Sequence, residues 1–271
     1  MSTDCFSDPR LSRLVDILKS MGSAVIAYSG GVDSTFLLKA AALSGIRVMA
    51  VTGFSPTTPE QDLLDAREAA KTMGVPHMVI GTSELERDDF RKNPPDRCFY
   101  CKSELFGRLS GIAESEGCAH LLDGSNLDDL DDWRPGRKAA LEHGVRSPLI
   151  EARLRKQDIR DLSRELNLPT WNKPSSPCLS SRFPYGESIT AEALKQVEEA
   201  EKFLKSLGFR ELRVRHYGDT ARIELRQDEI PKMLDPVTRR TVAEKLRSLG
   251  YAFVSLDLEG FRSGKMNIVR A

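Results

Sequence analysis

Residues 96–104 read DRCFYCKSE and set Cys98 and Cys101 on either side of a Phe-Tyr pair, in a chain with five cysteines. Thiolates at this spacing serve a redox couple, half of a zinc site or part of an iron–sulfur cluster. Cys178 stands far along the chain in PSSPCLSSRFPYG. Cys5 and Cys118 have no partner spacing, and His77, His120, His143 and His216 are scattered, so no fourth zinc ligand is evident. Three cysteines and an open position suit a four-iron cluster whose remaining iron holds an exogenous ligand such as sulfide. Cys118, at an apolar helix-to-strand junction, reads as a small buried residue.

A second stretch points to phosphate. In AVIAYSGGVDSTFLL an apolar run of strand length passes into Ser29-Gly30-Gly31, and Asp33 and Ser34 open a helix. Glycines let the backbone turn tightly and approach an anion, and the helix N-terminus aims unpaired N–H groups and its positive dipole end at it. Ser29 and Ser34 add hydroxyls. Asp33 cannot bind phosphate directly and reads as an N-cap, a magnesium ligand or both. The pattern is not a Walker A loop, because no lysine follows the glycines. Further on, LLDGSNLDDLDDWRPG puts Asn126, Asp128 and Asp129 just past another strand. Carboxylates beside a triphosphate require a divalent cation between them, which implies Mg2+.

These segments need a scaffold that brings strand ends together. Short apolar runs at 24–28, 47–53, 76–82 and 120–126 alternate with helical patterns, among them 58–74 and 103–117. Strands buried on both faces and separated by helices predict a parallel α/β sheet, with ligands at its carboxyl end. Residues 168–190, rich in proline and serine, break the rhythm. Beyond lie a charged helix at 191–208, a hairpin of 211–217 with 220–226 around Gly-Asp, a helix near 236–249 and a strand at 252–258. The expected division is a domain over 1–185 and a smaller α+β domain over 186–271. Alternation in the hairpin places Arg213 and Arg215 on one face and Arg222 on the partner strand, suited to a phosphate or carboxylates or simply to solvent.

The 271 residues suffice for such a pair of domains, and 40 basic residues balance 40 acidic ones. That balance removes the electrostatic footprint of general nucleic-acid binding. No secretory pattern opens the chain and no apolar run approaches a bilayer span, so a cytoplasmic protein is expected. In a reducing compartment the cysteines are not a disulfide framework.

The SGGVDS stretch resembles the signature of the ATP pyrophosphatase (PP-loop) superfamily, whose members cleave ATP between the α and β phosphates and transfer AMP to a carboxyl or carbonyl oxygen. The DGSNLDD segment resembles a pocket-lining loop of the same enzymes. Together AYSGGVDSTFLLKAA, NPPDRCFYCKSELF, DGSNLDDLDDWRPG, NKPSSPCLSSRFPYG and GFRSGKMN resemble the LarE family of ATP-dependent sulfur transferases. The resemblance implies a PP-loop domain of adenine nucleotide α-hydrolase-like, Rossmann-like fold, homo-oligomers, and a nickel-pincer nucleotide pathway. There a pyridinium dicarboxylate mononucleotide is adenylated and converted to a thiocarboxylate. In one type of the family a single cysteine, matching Cys178, gives up its own sulfur and becomes dehydroalanine. In the other, three cysteines hold a [4Fe-4S] cluster that carries the sulfide. Cys98 and Cys101 beside Cys178 favour the cluster type. Arg97 and Arg182 are candidates for neutralising the substrate's charge. Rival readings are a tRNA-thiolating PP-loop enzyme, an amide-forming synthetase with structural zinc, and a nucleotide sensor with a degenerate site. The neutral charge and the absence of a zinc-ribbon pattern weigh against the first, and the intact SGGVDS against the last.

Overall fold

The computed structural model describes residues 8–131, 135–262 and 265. Cys5, residues 132–134 and parts of the closing GFRSGKMN lie outside them. Two compact units divide the chain: one takes the residues up to Glu84 together with Asp96–Ser176, the other Leu85–Pro95 together with the residues from Pro177 on. The division thus falls ahead of the expected 185, and the second unit borrows an earlier segment.

The first unit is built on four parallel strands, β1 (Ser23–Ala27), β2 (Arg47–Phe54), β3 (His77–Gly81) and β4 (His120–Leu122), in the order β3-β2-β1-β4. In β1, Ala24 and Ile26 face one hydrophobic core and Val25 the other. The period of two sends successive side chains to opposite faces, and with both faces covered the strand reads as an unbroken apolar run. The first core is closed by α1 (Pro9–Met21), α2 (Val32–Ser44), α3 (Glu60–Thr72) and, later in the chain, the helix Lys156–Glu165. Leu11, Leu14, Val15 and Leu18 recur at helical spacing and are all buried, which seats α1. The second core is covered by α4 (Arg97–Ser115), through Phe106 and Leu109. Cys118 packs half-buried against that core. The helix Lys156–Glu165 is α5.

Helix α4 starts earlier than its periodicity predicts. Cys98 and Cys101 lie within its first turns, not ahead of it. Asp96 caps the helix, and its carbonyl accepts from Phe99 N at 2.8 Å.

Beyond β2 the chain is tied down by a buried carboxylate. Glu84, 1% exposed, accepts from the hydroxyls of Ser55 and Thr57, the latter at 2.7 Å. Glu84→Ala removes the acceptor that two buried hydroxyls share and is expected to cost roughly 1–3 kcal/mol, readable as a lowered midpoint in urea.

The second unit holds a three-stranded sheet of β5 (Leu212–Tyr217), β6 (Thr220–Leu225) and β7 (Phe253–Leu256). β5 and β6 form the antiparallel hairpin that the alternation predicts, and β7 runs parallel to β6. Helices α6 (Ala191–Ser206) and α7 (Pro236–Ser248) close its core, with Ala200, Leu204, Val242 and Leu246 buried against Leu212, Val214 and Ile223. The borrowed segment is clamped by Asn93, which is fully buried. Its Nδ2 donates to Pro184 O at 2.6 Å and its own carbonyl accepts from Gly186 N at 3.0 Å.

Candidate active site

The phosphate loop leaves the carboxyl end of β1. Gly30 has φ 68°, and a Cβ there would lie 2.8 Å from the Cβ of Ala66 in α3. Only glycine fits both the left-handed backbone and the close approach. Ser29 and Ser34 join hydroxyls across the loop at 3.1 Å. The first intrahelical bond of α2 runs from Thr35 N to Gly31 O at 3.0 Å, so the N–H groups of Val32, Asp33 and Ser34 have no carbonyl of their own helix. The cap position is Gly31, which corrects the expectation that Asp33 caps the helix. Gly30→Ala is expected to destabilise the unit by about 1–3 kcal/mol and to abolish nucleotide binding, checked by thermal melting beside an ATP titration.

The Asp-Gly-Ser-Asn loop lies directly against this helix start. A Cβ at Gly124 would come within 3.0 Å of Ser34 N, so the two loops touch backbone to backbone. Asn126 Nδ2 donates to Asp33 at 3.4 Å. Asn126 also opens a short turn over Leu127–Leu130 with a reciprocal cap: Asn126 Oδ1 accepts from Asp128 N at 3.0 Å, and Asp129 Oδ2 from Asn126 N at 2.9 Å. Asp128 reaches the start of α5, accepting from Lys156 N at 2.8 Å and from Arg155 Nη1 at 2.6 Å. The Lys156 N–H, then Arg155, hold its carboxyl below the usual range. Asp128 and Asp129 therefore do capping work, and Asn126 makes the contact to the phosphate loop.

A pocket opens here, bounded by Ser29, Gly31, Asp33 and Asp62, by Lys156 and Arg160 of α5, and by Lys173–Ser176. Lys156 pairs with Asp33. Lys173 sits between Asp62 at 3.1 Å and Asp65 at 2.8 Å. Burial weighs against its charge, but those two carboxylates outweigh it and hold its pKa above the ordinary lysine value. Asp33 fits a divalent cation's ligand: a cationic group already stands at its carboxylate.

None of the four described cysteines is in a disulfide. Cys98 is exposed and Cys101 half-buried, three residues apart on one face of α4. Half-buried Cys178 caps the turn Leu179–Arg182 in the second unit. Among the described residues no group of three or more His, Cys, Asp or Glu side chains is gathered as a metal site. The donor set itself, three unbridged thiols, suits iron. Arg97, the first residue of α4, is buried.

In the second unit Arg182 and Arg215 are buried, and Arg213 and Arg222 half-buried. Arg182 is 2% exposed, bonds Glu201 with two nitrogens at 2.9 Å each, and donates to Pro177 O at 2.7 Å and Cys178 O at 3.1 Å. It thereby fixes the backbone that carries Cys178. Arg215 is paired bidentately with Glu224, at 2.9 and 2.7 Å, and Arg222 joins the same carboxylate at 3.1 Å. The sheet face thus carries a charge cluster centred on the buried Arg215–Glu224 pair, with Arg222 partly open to solvent. Burial, then the charge of Arg182, pulls the Arg213 guanidinium down to about 10, with Glu201 and Glu224 opposing.

No protein-family model matches the chain. Over 256 residues it is 43% identical to the pyridinium-3,5-bisthiocarboxylic acid mononucleotide synthase of Lactiplantibacillus plantarum, covering 94% of this chain and 92% of that one. The chain belongs to the LarE family. An uncharacterized protein of Synechocystis sp. is 42% identical over 263 residues, 97% of this chain and 98% of that one. A tRNA-specific 2-thiouridylase MnmA of Azorhizobium caulinodans is 29% identical over 227 residues, 69% of this chain and 56% of that one, in keeping with a PP-loop enzyme fold.

For a LarE-family enzyme the sequence motifs locate the loops but miss several side chains on them. Lys156 and Arg160 look like the solvated face of a charged helix in RKQDIRDL. Lys173 and Ser176 lie in NKPSSPC, where the cysteine is the one residue with an evident chemical signal; Ser176 donates to Asp62 at 2.7 Å. Glu201, one of several glutamates on α6, carries no local signal.

Proposed function

We propose that this LarE-family enzyme uses ATP to adenylate a carboxylate of a pyridinium dicarboxylate mononucleotide and then converts it to a thiocarboxylate. What carries the reading is one pocket that joins phosphate-loop N–H groups, Asp33 and two lysines, in a chain alike over nearly its whole length to the synthase of that name. The loop amides of Val32, Asp33 and Ser34, with the hydroxyls of Ser29 and Ser34, bind the triphosphate. Asp33 would hold Mg2+, with Asn126 orienting it. The substrate carboxylate attacks the α-phosphorus, the bond to the bridging oxygen breaks, and pyrophosphate leaves with the electron pair. A sulfur nucleophile then adds to the acyl carbon and AMP departs.

Cys98, Cys101 and Cys178 would hold a [4Fe-4S] cluster, which when bound supplies that sulfur as sulfide on its open iron. Arg182 keeps the Cys178 turn in place. Arg213, with Arg215 and Arg222, is a candidate for the substrate's phosphate or remaining carboxylate, which guanidinium groups bind well. Arg97 is a further candidate for the carboxylates. The expected assembly is a homo-oligomer in the cytoplasm, without nucleic acid.

The test is AMP and pyrophosphate formation under anaerobic conditions with ATP, Mg2+ and the pyridinium dicarboxylate mononucleotide. Both products should depend on that acid. Turnover with bulk tRNA instead, or ammonia-dependent amide formation on a test acid, would replace this reading.

A further inference from the structure

The phosphate pocket already keeps a cation on the one carboxylate that its loop presents. Lys156 Nζ is bonded to Asp33, and both side chains line the pocket, 38% and 23% exposed. Such a pair can open without stranding a buried charge, because water reaches both partners. The backbone of Lys156 does not share this freedom. Its N–H is bonded to Asp128 at 2.8 Å, and its neighbour Arg155 grips the same carboxylate. The ammonium is therefore a movable head on an anchored base. Lys173 contrasts with it: 19% exposed and held by two carboxylates, it is a fixed charge on the same pocket.

Resting on the nucleotide-binding reading, we infer that Asp33 and Lys156 are an exchange pair. The divalent cation that enters with the nucleotide takes Asp33, and the released Lys156 ammonium binds the phosphates that leave as pyrophosphate. Before binding, the carboxylate and ammonium neutralise each other. Afterwards each has a new partner of opposite sign. When the bond from the α-phosphorus breaks, its electron pair moves onto a β-phosphate oxygen, where the ammonium stabilises the developing charge. The empty pocket thus excludes a free divalent ion, and cation and nucleotide enter together.

Lys156→Met and Lys156→Arg test this against wild type, with inorganic pyrophosphate, ATP and AMP followed calorimetrically and Mn2+ binding followed by electron paramagnetic resonance without nucleotide. Lys156→Met should weaken pyrophosphate and ATP binding roughly tenfold to hundredfold and leave AMP binding unchanged. It should also bind Mn2+ without nucleotide more tightly than wild type, because nothing competes for Asp33. Lys156→Arg, which keeps the charge, should restore pyrophosphate binding. Equal pyrophosphate affinity in Lys156→Met and wild type, or unchanged Mn2+ binding, overturns the exchange alone. A wild-type protein that binds neither ATP nor pyrophosphate overturns the nucleotide reading as well.

Discussion

Glu201→Ala is expected to destabilise the second unit by about 3–5 kcal/mol, because it leaves the Arg182 guanidinium buried without its counter-charge. Val214 N, which donates to Glu201 at 3.0 Å, loses its acceptor too. Thermal and urea melts of the whole chain should show the loss. Replacing Arg182 and Glu201 together by apolar residues of similar volume should recover most of it, since no charge is then stranded. Failure of the double variant to recover would mean that the pair's hydrogen bonds, not its charge, are what the fold needs. The pair also sets an acid limit. Burial would raise the Glu201 pKa, but the charge and hydrogen bonds of Arg182, with Arg213 and the Val214 N–H, hold it below the usual range. A carboxylate with a depressed folded pKa contributes stability that is complete above its unfolded value of roughly 4.3. That contribution fades as pH falls through the folded value. Wild type should therefore lose stability steeply on acidification below about pH 4, and Glu201→Ala should lose this part of the pH dependence.

Cys98→Ala, Cys101→Ala and Cys178→Ala are each expected to reduce repeated sulfur transfer to the level of a blank. Each should also strip the iron and acid-labile sulfide from anaerobically purified protein. The effect is large because a cluster that presents one open iron already has only three protein ligands. Adenylation, which the proposed mechanism assigns to the phosphate loop and not to the thiols, should persist in all three variants and would show that the protein is folded. Iron-free wild type in which only Cys178→Ala is inactive, with the mass of H2S lost from the chain during a single turnover, would identify Cys178 as the sulfur itself. Glu201→Ala links the two expectations. Arg182 bonds the carbonyls of Pro177 and Cys178, so iron retention should weaken in that variant along with stability.

The sheet was legible because burial on both faces writes itself as runs such as Ala24–Val25–Ile26, and the hairpin because one-sided burial alternates. The loops were legible because glycines and serines at a strand end have few other uses. What stayed hidden were partners chosen by tertiary contact. Lys156 follows an arginine on a polar helix, and nothing local tells that its ammonium reaches Asp33, distant in the chain. Asp128 and Asp129 carry the composition of a cation site, yet each accepts from a backbone N–H, and Asp128 also from Arg155, partners that the sequence does not reveal. Alternation assigned Arg215 to a face correctly but could not say that a glutamate on the next strand would bury it.

The second unit's borrowed segment has a consequence for how the chain is made. Asn93 and the carbonyl of Phe183 to which it donates lie 90 residues apart in sequence. At about 5–20 residues per second of synthesis, Asn93 emerges from the ribosome roughly 5–20 s before its acceptors exist. During that interval Leu85–Pro95 has no unit to belong to, while β1, β2 and β3 are already exposed and able to pair. The nascent chain therefore carries this unanchored stretch through the interval in which its second unit is unborn, which sets the time over which a chaperone must guard it.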